Sequence, residues 1–431
     1  MAFSCGIIDN MFPGMVINHN NRKILFEKKI QMNVIFLTLD RFLNINDREI
    51  SEDLMRKFRK EGHQVYVVVP RERRFGMPTK LDIQGGVNIL GVKTLNIQKT
   101  NIVEKGIGTL LIERQYIFAI KKYLGDVKFD LILYTTPPIT FTGVVDYLKK
   151  KNPQAISYLL LKDIFPQNAV DIGMFSEESL FNKYFRRKEI KLYLQSDYIG
   201  CMSPANVSFL LDHNSFLKED MVEVAPNSIE LGEQRVLTDE ERQNIKAKYN
   251  LPPDKPIIIY GGNLGKPQGI DYLIKCLDSN KNRKDCHFLV VGSGTEYPKI
   301  RGWFENSHPE SVSVFERLPK SDYDLLVQSC DIGLIFLDHR FTIPNYPSRL
   351  LSYLEYKMPV ICATDANTDM GKIAEENGYG FWCESIKPED FTMLVDKMLA
   401  SDYKMMGKKG YEFLKKNYLV DNTYSAIMSH V

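Results

Sequence analysis

The chain has 431 residues, which exceeds what one hydrophobic core usually organises and predicts two domains of roughly 200 residues each. Hydrophobic residues make up 44% and charged residues 26%, which excludes intrinsic disorder and fibrous repeats, and no apolar run reaches the about 18 residues of a membrane-spanning helix. The net charge of +2 excludes the strongly basic surface of a nucleic-acid binder.

The amino-terminal residues 1–31 are interpreted as an extension outside the fold. They carry Asp9 early and lack a basic start followed by an apolar core, so a secretory signal is not expected. Seven cysteines without any C-x2-C pair are typical of buried thiols in a reducing compartment. We therefore expect a cytoplasmic protein whose fold begins at Met32.

From residue 32 onward, short apolar segments alternate with amphipathic ones. The predicted strands cover residues 34–39, 65–69, 131–134, 156–161, 198–202 and 222–224, and predicted helices cover residues 49–61 and 109–123. Strands that are apolar throughout and are joined by helical crossovers indicate a parallel sheet with helices on both faces. This first domain is predicted to span residues 32–229.

A polar, helical linker over residues 230–256 precedes a second series of strands. These are predicted at residues 257–260, 286–291, 312–315, 332–337, 360–362 and 380–382. The predicted fold class is therefore α/β, with two doubly wound Rossmann-like domains and a ligand cleft between them at the carboxyl ends of the strands. The second domain is predicted to span residues 230–410, and helices in residues 411–431 are expected to pack back on the first domain.

A glycine-rich loop follows the first strand of the second domain. Residues 260–269 contain four glycines and Lys266, and a helix is predicted to start near Ile270. Glycines let the backbone approach an oxyanion, the helix start offers free N–H groups, and Lys266 adds a full positive charge. The loop is thus a candidate diphosphate site, with a tight strand-to-helix turn as the alternative.

A second candidate anion site lies at the start of the helix before residue 358. Ser348 is interpreted as its N-cap, so the amides of Leu350 and Leu351 are expected to point out of the helix start, beside Arg349. Glu355 follows two turns later, where a carboxylate can accept two hydrogen bonds from a ribose diol. A solvated glutamate on the helix face is the alternative.

These two segments, with the order of strands and helices, resemble the family 4 retaining glycosyltransferases of the GT-B fold over about residues 32–431. In that family a G-R-x4-K-G loop grips the donor diphosphate and an E-x7-E motif holds the donor. The corresponding stretches here are residues 262–269 and 347–355, and Glu355 matches the second glutamate.

The sequence departs from the family pattern at three positions. Asn263 stands in place of the arginine, Gln268 in place of the lysine, and Pro347 in place of the first glutamate. The resemblance then implies that Lys266 and Arg349 replace the lost charge.

Shorter fragments also resemble landmarks of that family. Gly292 follows the second strand of the second domain, and Arg317 and Leu318 stand where the nucleobase edge is usually met by backbone. The resemblance implies a nucleotide-diphosphate sugar as the donor, with UDP as the expected nucleotide. The implied donor-binding residues are Gly262, Asn263, Gln268, Gly292, Arg317, Leu318, Ser348, Leu350, Leu351 and Glu355.

In the first domain, Lys162 and Asp163 follow a strand where the family often has a His-Asp pair that faces the donor sugar. Residues 163–166 resemble the D-[IL]-[FW]-P element of bacterial capsular and O-antigen polysaccharide glycosyltransferases, which implies a biosynthetic role. The resemblance thus implies Asp163, Lys266 and Arg349 as catalytic residues. The alternative is that Asp163 is the N-cap of the next helix.

The loop over residues 40–48 lacks the double glycine common in relatives, but it places charged groups at the carboxyl end of the first strand. We interpret Asp47 and Arg48, together with Lys162, as acceptor-side residues. A plain polar loop is the alternative.

Residues 181–191 mix aromatic residues with five basic residues on a predicted helix, a composition that suits the edge of an anionic bilayer. Residues 1–230 also hold the basic excess of the chain, with 31 Lys and Arg against 26 Asp and Glu. Peripheral contact with the inner face of the plasma membrane is therefore expected. Core-facing aromatics with a solvated basic face are the alternative.

Two further patterns are set aside. Asp322 and Asp324 spell a D-x-D motif, but they open a predicted helix, where acidic residues favour the helix dipole, so no metal is expected. Gly292 and Gly294 lack the third glycine of a dinucleotide fingerprint, because position 297 is tyrosine. No cofactor is expected.

The resemblance implies retaining transfer of a hexosyl or N-acetylhexosaminyl group from a nucleotide-diphosphate sugar to a glycan or a polyprenyl-diphosphate-linked acceptor, in surface polysaccharide biosynthesis. No protein nucleophile is implied. One alternative is a sugar-nucleotide epimerase of the same architecture, although no convincing acid and base set is present. Another is a non-catalytic scaffold subunit, because the first glutamate and the arginine are absent.

Overall fold

The computed structural model describes residues 15–17, 24–26, 31–97, 102–232 and 237–431. Two short strands near the amino terminus, β1 (Met15–Ile17) and β2 (Ile24–Phe26), pair antiparallel. Apart from these strands and residue 31, the extension predicted over residues 1–31 lies outside the described residues.

A mainly parallel sheet forms the core of the first half of the chain. Its strands are β3 (Asn33–Leu37), β4 (Gln64–Glu72), β5 (Lys80–Gln84), β6 (Val87–Thr94), β7 (Leu131–Thr136), β8 (Ile156–Leu161), β9 (Tyr198–Cys201) and β10 (Val222–Val224). The order across the sheet is β10-β9-β8-β7-β3-β4-β6-β5, and only β5 runs antiparallel to its neighbour. The predicted parallel α/β sheet is therefore confirmed for this half.

The hairpin formed by β5 and β6 was not predicted. Its two strands are joined by Gly85 and Gly86, both in the left-handed region with φ of 54° and 79°. A Gly-Gly pair between two β-like segments is a signal for a tight hairpin turn. Because most of β5 is only partly buried, it lacks the continuous apolar run by which the other strands were recognised.

Helices cover both faces of this sheet. They are α1 (Ile50–Lys60), α2 (Ile102–Tyr123), α3 (Thr142–Lys151), α4 (Gln167–Asp171), α5 (Leu180–Gln195) and α6 (Pro204–His213). The predicted helices over residues 49–61 and 109–123 correspond to α1 and α2. In α1, Leu54, Met55 and Phe58 form one buried face against the sheet, while the last turn carries basic residues that favour the helix dipole.

The second half contains a fully parallel sheet. Its strands are β11 (Ile257–Asn263), β12 (His287–Ser293), β13 (Val312–Phe315), β14 (Ile332–Phe336), β15 (Val360–Thr364) and β16 (Gly380–Glu384). The order is β13-β12-β11-β14-β15-β16, so the direction of winding reverses between β11 and β14. Ligands of doubly wound sheets bind outside the carboxyl ends of the strands at such a reversal.

The helices of the second half are α7 (Asp239–Lys248), α8 (Ile270–Ser279), α9 (Tyr297–Ser307), α10 (Lys320–Gln328), α11 (Arg349–Glu355), α12 (Met370–Glu376), α13 (Pro388–Leu399), α14 (Tyr403–Asn417) and α15 (Val420–Met428). Helix α14 packs against α11, whereas α15 packs against α1 of the first half. Val420 and Ile427 of α15 are buried in the same core as Phe58. The domain limits at residues 230 and 411 remain predictions.

The carboxyl ends of the two sheets face each other. Asn206, after β9, donates a side-chain hydrogen bond to the Pro344 carbonyl at 2.8 Å. The neighbouring amide of Ala205 donates to the carboxylate of Asp369, after β15, at 3.0 Å. The loops that follow the strands of one sheet therefore meet those of the other, which is the arrangement of the predicted GT-B fold.

Candidate functional site

In the glycine-rich loop, two side chains that were predicted to bind the nucleotide-sugar donor form hydrogen bonds within the loop itself. The Asn263 side-chain amide donates to Gln268 Oε1 at 3.1 Å, and the Gly265 amide donates to the same oxygen at 3.2 Å. The Tyr260 hydroxyl donates to the Asn263 carbonyl at 2.7 Å. Asn263 and Gln268 therefore fix the shape of the loop in this structure.

Close backbone packing requires glycine at several points around this loop. Gly262 has a φ of 124°, which disfavours any residue with a side chain. A Cβ on Gly292 would overlap the Gly262 carbonyl, and a Cβ on Gly261 would overlap the Tyr323 hydroxyl. These glycines let the ends of β11 and β12 and the start of α10 come together at the edge of the sheet.

Arg349 lies directly beside the glycine loop. Its guanidinium carbon is 4.5 Å from the centre of the Tyr260 ring, and its Nη2 would lie 3.4 Å from a Cβ on Gly262. The Nη1 atom is buried and has no hydrogen-bond partner within the described ranges. Burial opposes the charge, but the surrounding tyrosines outweigh it and raise the pKa of Arg349, so it stays cationic.

Tyrosines that the sequence analysis missed surround Arg349. Tyr260 and Tyr353 flank it, and the Tyr353 hydroxyl accepts a hydrogen bond from the Gly261 amide at 3.0 Å. Tyr323 packs against Gly261 from α10. Tyr353 could have been found from the sequence, because it follows Arg349 by one helical turn, but no local pattern points to Tyr323.

The start of α11 differs from the expectation. Ser348 is the N-cap residue, yet its side chain is exposed and forms no capping hydrogen bond. The Leu350 amide donates to the Pro347 carbonyl at 3.3 Å, and the Leu351 amide donates to the Ser348 carbonyl at 3.1 Å. The expectation of two free amides is therefore wrong, because the first turn closes on its own carbonyls.

Glu355 ends α11 and is buried, with 5% of its surface exposed. Its Oε1 forms an ion pair with Arg48, in the loop between β3 and α1. Arg48 also donates to the Glu230 carbonyl at 3.3 Å. Partial burial opposes the charge on Arg48, but the bond to Glu355 outweighs it and raises the pKa of Arg48. An expected donor residue and an expected acceptor-side residue thus contact each other directly.

The other acceptor-side residues lie at the carboxyl ends of β3 and β8. Burial lowers the pKa of Lys162, while the nearby carboxylates of Asp40 and Glu52 counteract that effect. Asp47 is exposed, and its carbonyl accepts a hydrogen bond from Arg56 at 2.8 Å.

Asp163 does not cap α4, whose N-cap residue is Pro166, so the capping alternative is wrong. Both carboxylate oxygens of Asp163 accept hydrogen bonds from the Asn168 side chain, at 2.7 and 2.8 Å. Burial raises the pKa of Asp163 to about 6, although the bond from Asn168 lowers it.

The remaining residues that were predicted to contact the donor are more exposed to solvent. Lys266 is exposed at the end of the glycine loop, on a 3-10 turn over Lys266–Gln268, and lines a separate cavity together with the start of α8. Arg317 is exposed, and Leu318 is partly buried against the core that contains Leu350.

In the part of the chain that the structure describes, no group of three or more His, Cys, Asp or Glu side chains could hold a metal ion. Asp322 of the D-x-D pair lies in the first turn of α10 and accepts a hydrogen bond from Lys248 at 3.0 Å. Within the same described ranges, no helix is long and apolar enough to cross a bilayer.

Known proteins resemble this chain in sequence. Residues 241–413, which include the glycine loop, Arg349 and Glu355, match the family described as "Glycosyl transferases group 1". Over 329 residues the chain is 21% identical to the probable glycosyltransferase WbjE of Pseudomonas aeruginosa, covering 74% of this chain and 78% of that protein. Over 153 residues it is 24% identical to the putative colanic acid biosynthesis glycosyl transferase WcaI of Escherichia coli (strain K12), covering 35% and 37%.

Solved structures resemble it along nearly the whole chain. Sucrose-phosphate synthase of Thermosynechococcus elongatus superposes with a TM-score of 0.73 at 14% identity, over 93% of this chain and 98% of that one. Anabaena HepE in complex with UDP-glucose superposes with a TM-score of 0.64 at 12% identity, over 93% and 99%. With its group 1 glycosyl transferase domain and its two facing parallel sheets, the chain is a glycosyltransferase of the GT-B fold.

Proposed function

We propose that this glycosyltransferase transfers a sugar, with retention at the anomeric carbon, from a UDP-sugar to a glycan or lipid-linked acceptor in surface polysaccharide biosynthesis. One observation carries the donor assignment. The buried Nη1 of Arg349 has no partner within the described ranges, and Nη2 of the same guanidinium lies beside Gly262, at the reversal point of the second sheet. A buried guanidinium N–H without a partner is costly, and a diphosphate oxygen would satisfy it.

Similarity to other proteins supports UDP as the nucleotide of the donor and polysaccharide biosynthesis as the pathway type. HepE was solved with UDP-glucose, and WcaI carries the name of a colanic acid biosynthesis enzyme. Glu355 lies at the other end of the helix that Arg349 begins, so its carboxylate can accept hydrogen bonds from a ribose diol when the donor displaces Arg48.

In the proposed reaction, the bond between the anomeric carbon and the diphosphate oxygen breaks while a bond to the acceptor oxygen forms on the same face. The acceptor hydroxyl gives its proton to the departing phosphate oxygen, so no protein nucleophile is needed. Arg349 stabilises the negative charge that grows on the diphosphate. Removing one such preorganised donor typically lowers the rate by about 10²–10³.

The acceptor is proposed to approach from the first half of the chain, along Asp47, Arg48, Lys162 and Asp163. These residues follow β3 and β8, whose carboxyl ends face the donor side. Asp163 is held by Asn168 and therefore presents a fixed carboxylate near the cleft.

Peripheral contact with an anionic inner leaflet is proposed for α5. Leu180 and Phe181 have 83% and 70% of their surface exposed, and Lys183, Arg187 and Lys191 are exposed on the same helix. Apolar and basic side chains presented together favour an interfacial position. The proposed location is cytoplasmic, at the inner face of the plasma membrane.

The test is to incubate the purified chain with UDP-sugars and follow the products by proton NMR. We expect slow release of free sugar that keeps the anomeric configuration of the donor, and a loss of about 10²-fold in rate for Arg349→Gln with little change in the folded spectrum. Inverted sugar would overturn the retaining assignment. Reversible isomerisation of the donor would indicate an epimerase, and no reaction with any UDP-sugar, together with no UDP binding, would indicate a scaffold.

A further inference from the structure

A cavity of about 320 Å³ lies at the carboxyl edge of the second sheet, next to the proposed donor site. The start of α8, the turn of α9 and the loop after β14 surround it, and Ile172 of the first half closes one side. Beside it, Thr342 donates its amide to the Asp171 carboxylate at 2.8 Å. A ligand in this cavity would therefore touch both halves of the molecule.

This cavity is separate from the proposed diphosphate site. The turn Lys266–Gln268 lies between them, and a Cβ on Gly269 would be 3.2 Å from the Asp338 backbone, so the loop is packed against the cavity wall there. Arg349 and Glu355 do not belong to the lining. The cavity volume lies at the lower end of the about 300–1,000 Å³ found for small-molecule sites.

The acidic side chains of the cavity already have cationic partners. Asp271 and Glu296 both pair with Lys299, at 2.7 and 3.3 Å. Asp338 accepts two hydrogen bonds from the Arg340 guanidinium, both at 2.8 Å, and a third from the Arg340 backbone amide at 3.0 Å. Such paired carboxylates keep free lone pairs that can accept hydrogen bonds from hydroxyl groups.

Two lysines of the lining, Lys266 and Lys275, are exposed and form no ion pair with any described residue. The lining holds four cationic and three acidic side chains, which leaves one positive charge in excess. A single carboxylate would balance that excess, whereas a dianionic phosphate would leave one negative charge in excess. Tyr272 and Ile386 add surface against which a sugar ring can pack.

We propose that this cavity binds an acidic sugar of the uronic acid class, as one residue of the acceptor glycan. Its carboxylate is held by Lys275 and Lys266, and its hydroxyls by the paired acids Asp271 and Asp338. This inference rests on the proposed function, because it places the acceptor beside the donor.

The test uses ligand-observed NMR titration of the full chain with methyl glucuronide, and with methyl glucoside as the neutral counterpart. We expect methyl glucuronide to bind, methyl glucoside to bind at least tenfold more weakly, and Lys275→Glu to weaken methyl glucuronide about tenfold. Lys408→Glu, the same charge change on an exposed helix lysine outside the cavity, should leave binding unchanged. UDP binding should be the same in all three proteins.

Equal affinity for the two glycosides, or unchanged affinity in Lys275→Glu, would overturn the proposal. Failure of methyl glucuronide to bind while UDP binds would overturn it and leave the proposed function intact. Failure of UDP as well would overturn both.

Discussion

Arg48 forms an ion pair with the buried carboxylate of Glu355 and thereby ties the loop after β3 to the end of α11. The Arg48 side chain is 44% exposed and that of Glu355 is 6% exposed, so the pair is open to water on the arginine side only. The carboxylate that we propose for the donor ribose is therefore already engaged across the cleft. Donor binding has to compete with Arg48 for it.

The first prediction concerns this competition. Arg48→Gln should bind UDP more tightly than the wild type, because the donor no longer displaces a cation from Glu355. Half-exposed ion pairs contribute about 0–1 kcal/mol, so the dissociation constant should fall by about two- to fivefold. Isothermal titration calorimetry with UDP measures it.

The control is Arg41→Gln, which removes an exposed arginine of the same loop. The guanidinium carbon of Arg41 lies 4.5 Å from the centre of the Phe75 ring and does not contact Glu355. Its UDP affinity should equal that of the wild type. Weaker UDP binding in Arg48→Gln would mean that Arg48 holds the donor rather than competing with it.

The second prediction is that Glu355→Gln weakens UDP binding by at least about 1.5 kcal/mol, or tenfold, because a charged acceptor for the ribose diol is lost. Glutamine keeps the volume of the buried side chain, so the fold should survive. Glu376→Gln on the exposed face of α12 is the matched control. If Glu355→Gln and wild type bind UDP equally, the assignment of α11 to the donor site is wrong.

Much of the fold could be predicted from the sequence, because buried parallel strands are apolar along their whole length. The segment predicted at residues 257–260 is the start of β11, which continues to Asn263 because its glycines pair in register with β12. The half-exposed strand β5 carries no such run and was missed. Strand recognition thus followed burial for most strands, but β6, which is largely buried, was missed together with its hairpin partner.

The residues of the candidate site could be predicted from the sequence only where they lie close together along the chain. Arg349 and Glu355 share one helix and were found together. The pair of Arg48 and Glu355 joins residues 307 positions apart, and no pattern along the chain encodes that contact. The hydrogen bonds within the first turn of α11 could not be predicted either, because which carbonyl an amide binds depends on backbone angles rather than on residue type.

A third prediction follows from the arginine at the proposed donor site. Turnover in excess EDTA should remain within about twofold of turnover in magnesium, because Arg349 supplies the positive charge that a metal would otherwise provide. Steady-state rates with a UDP-sugar measure this. Complete loss of turnover in EDTA, restored by magnesium or manganese, would contradict it.

The fourth prediction concerns α5. Arg186 and Lys188 are engaged with Glu189 and Glu113, so the test falls on the exposed Lys183, Arg187 and Lys191, which lie one turn apart. Reversing all three to glutamate should abolish sedimentation with anionic vesicles, because each basic residue near such a surface contributes about 1 kcal/mol.

The matched control reverses Lys404, Lys408 and Lys416, which are exposed on α14. That variant should sediment with anionic vesicles like the wild type. Equal loss in both triple variants would show that net charge, rather than α5, drives the contact.

The fifth prediction uses Glu52, which is 4% exposed in the first turn of α1. Burial raises its pKa to about 7 from the usual 4.5, its own backbone amide lowers it, and Asp40 and Glu49 repel its charge. Because the folded state holds this proton more tightly than the unfolded chain, stability is lost as pH rises from about 4.5 to about 7.

Glu52→Gln removes this penalty, so its melting temperature should exceed that of the wild type at pH 8 and should lie close to it at pH 5. The shift in pKa corresponds to a free energy of unfolding that is higher in Glu52→Gln than in the wild type by on the order of 1–3 kcal/mol at pH 8. Thermal unfolding followed by circular dichroism at both pH values measures it, with Glu376→Gln as the exposed counterpart that should change neither temperature. An equal change at pH 5 and pH 8 would mean that packing around residue 52, and not the ionisation of its carboxyl group, sets the difference.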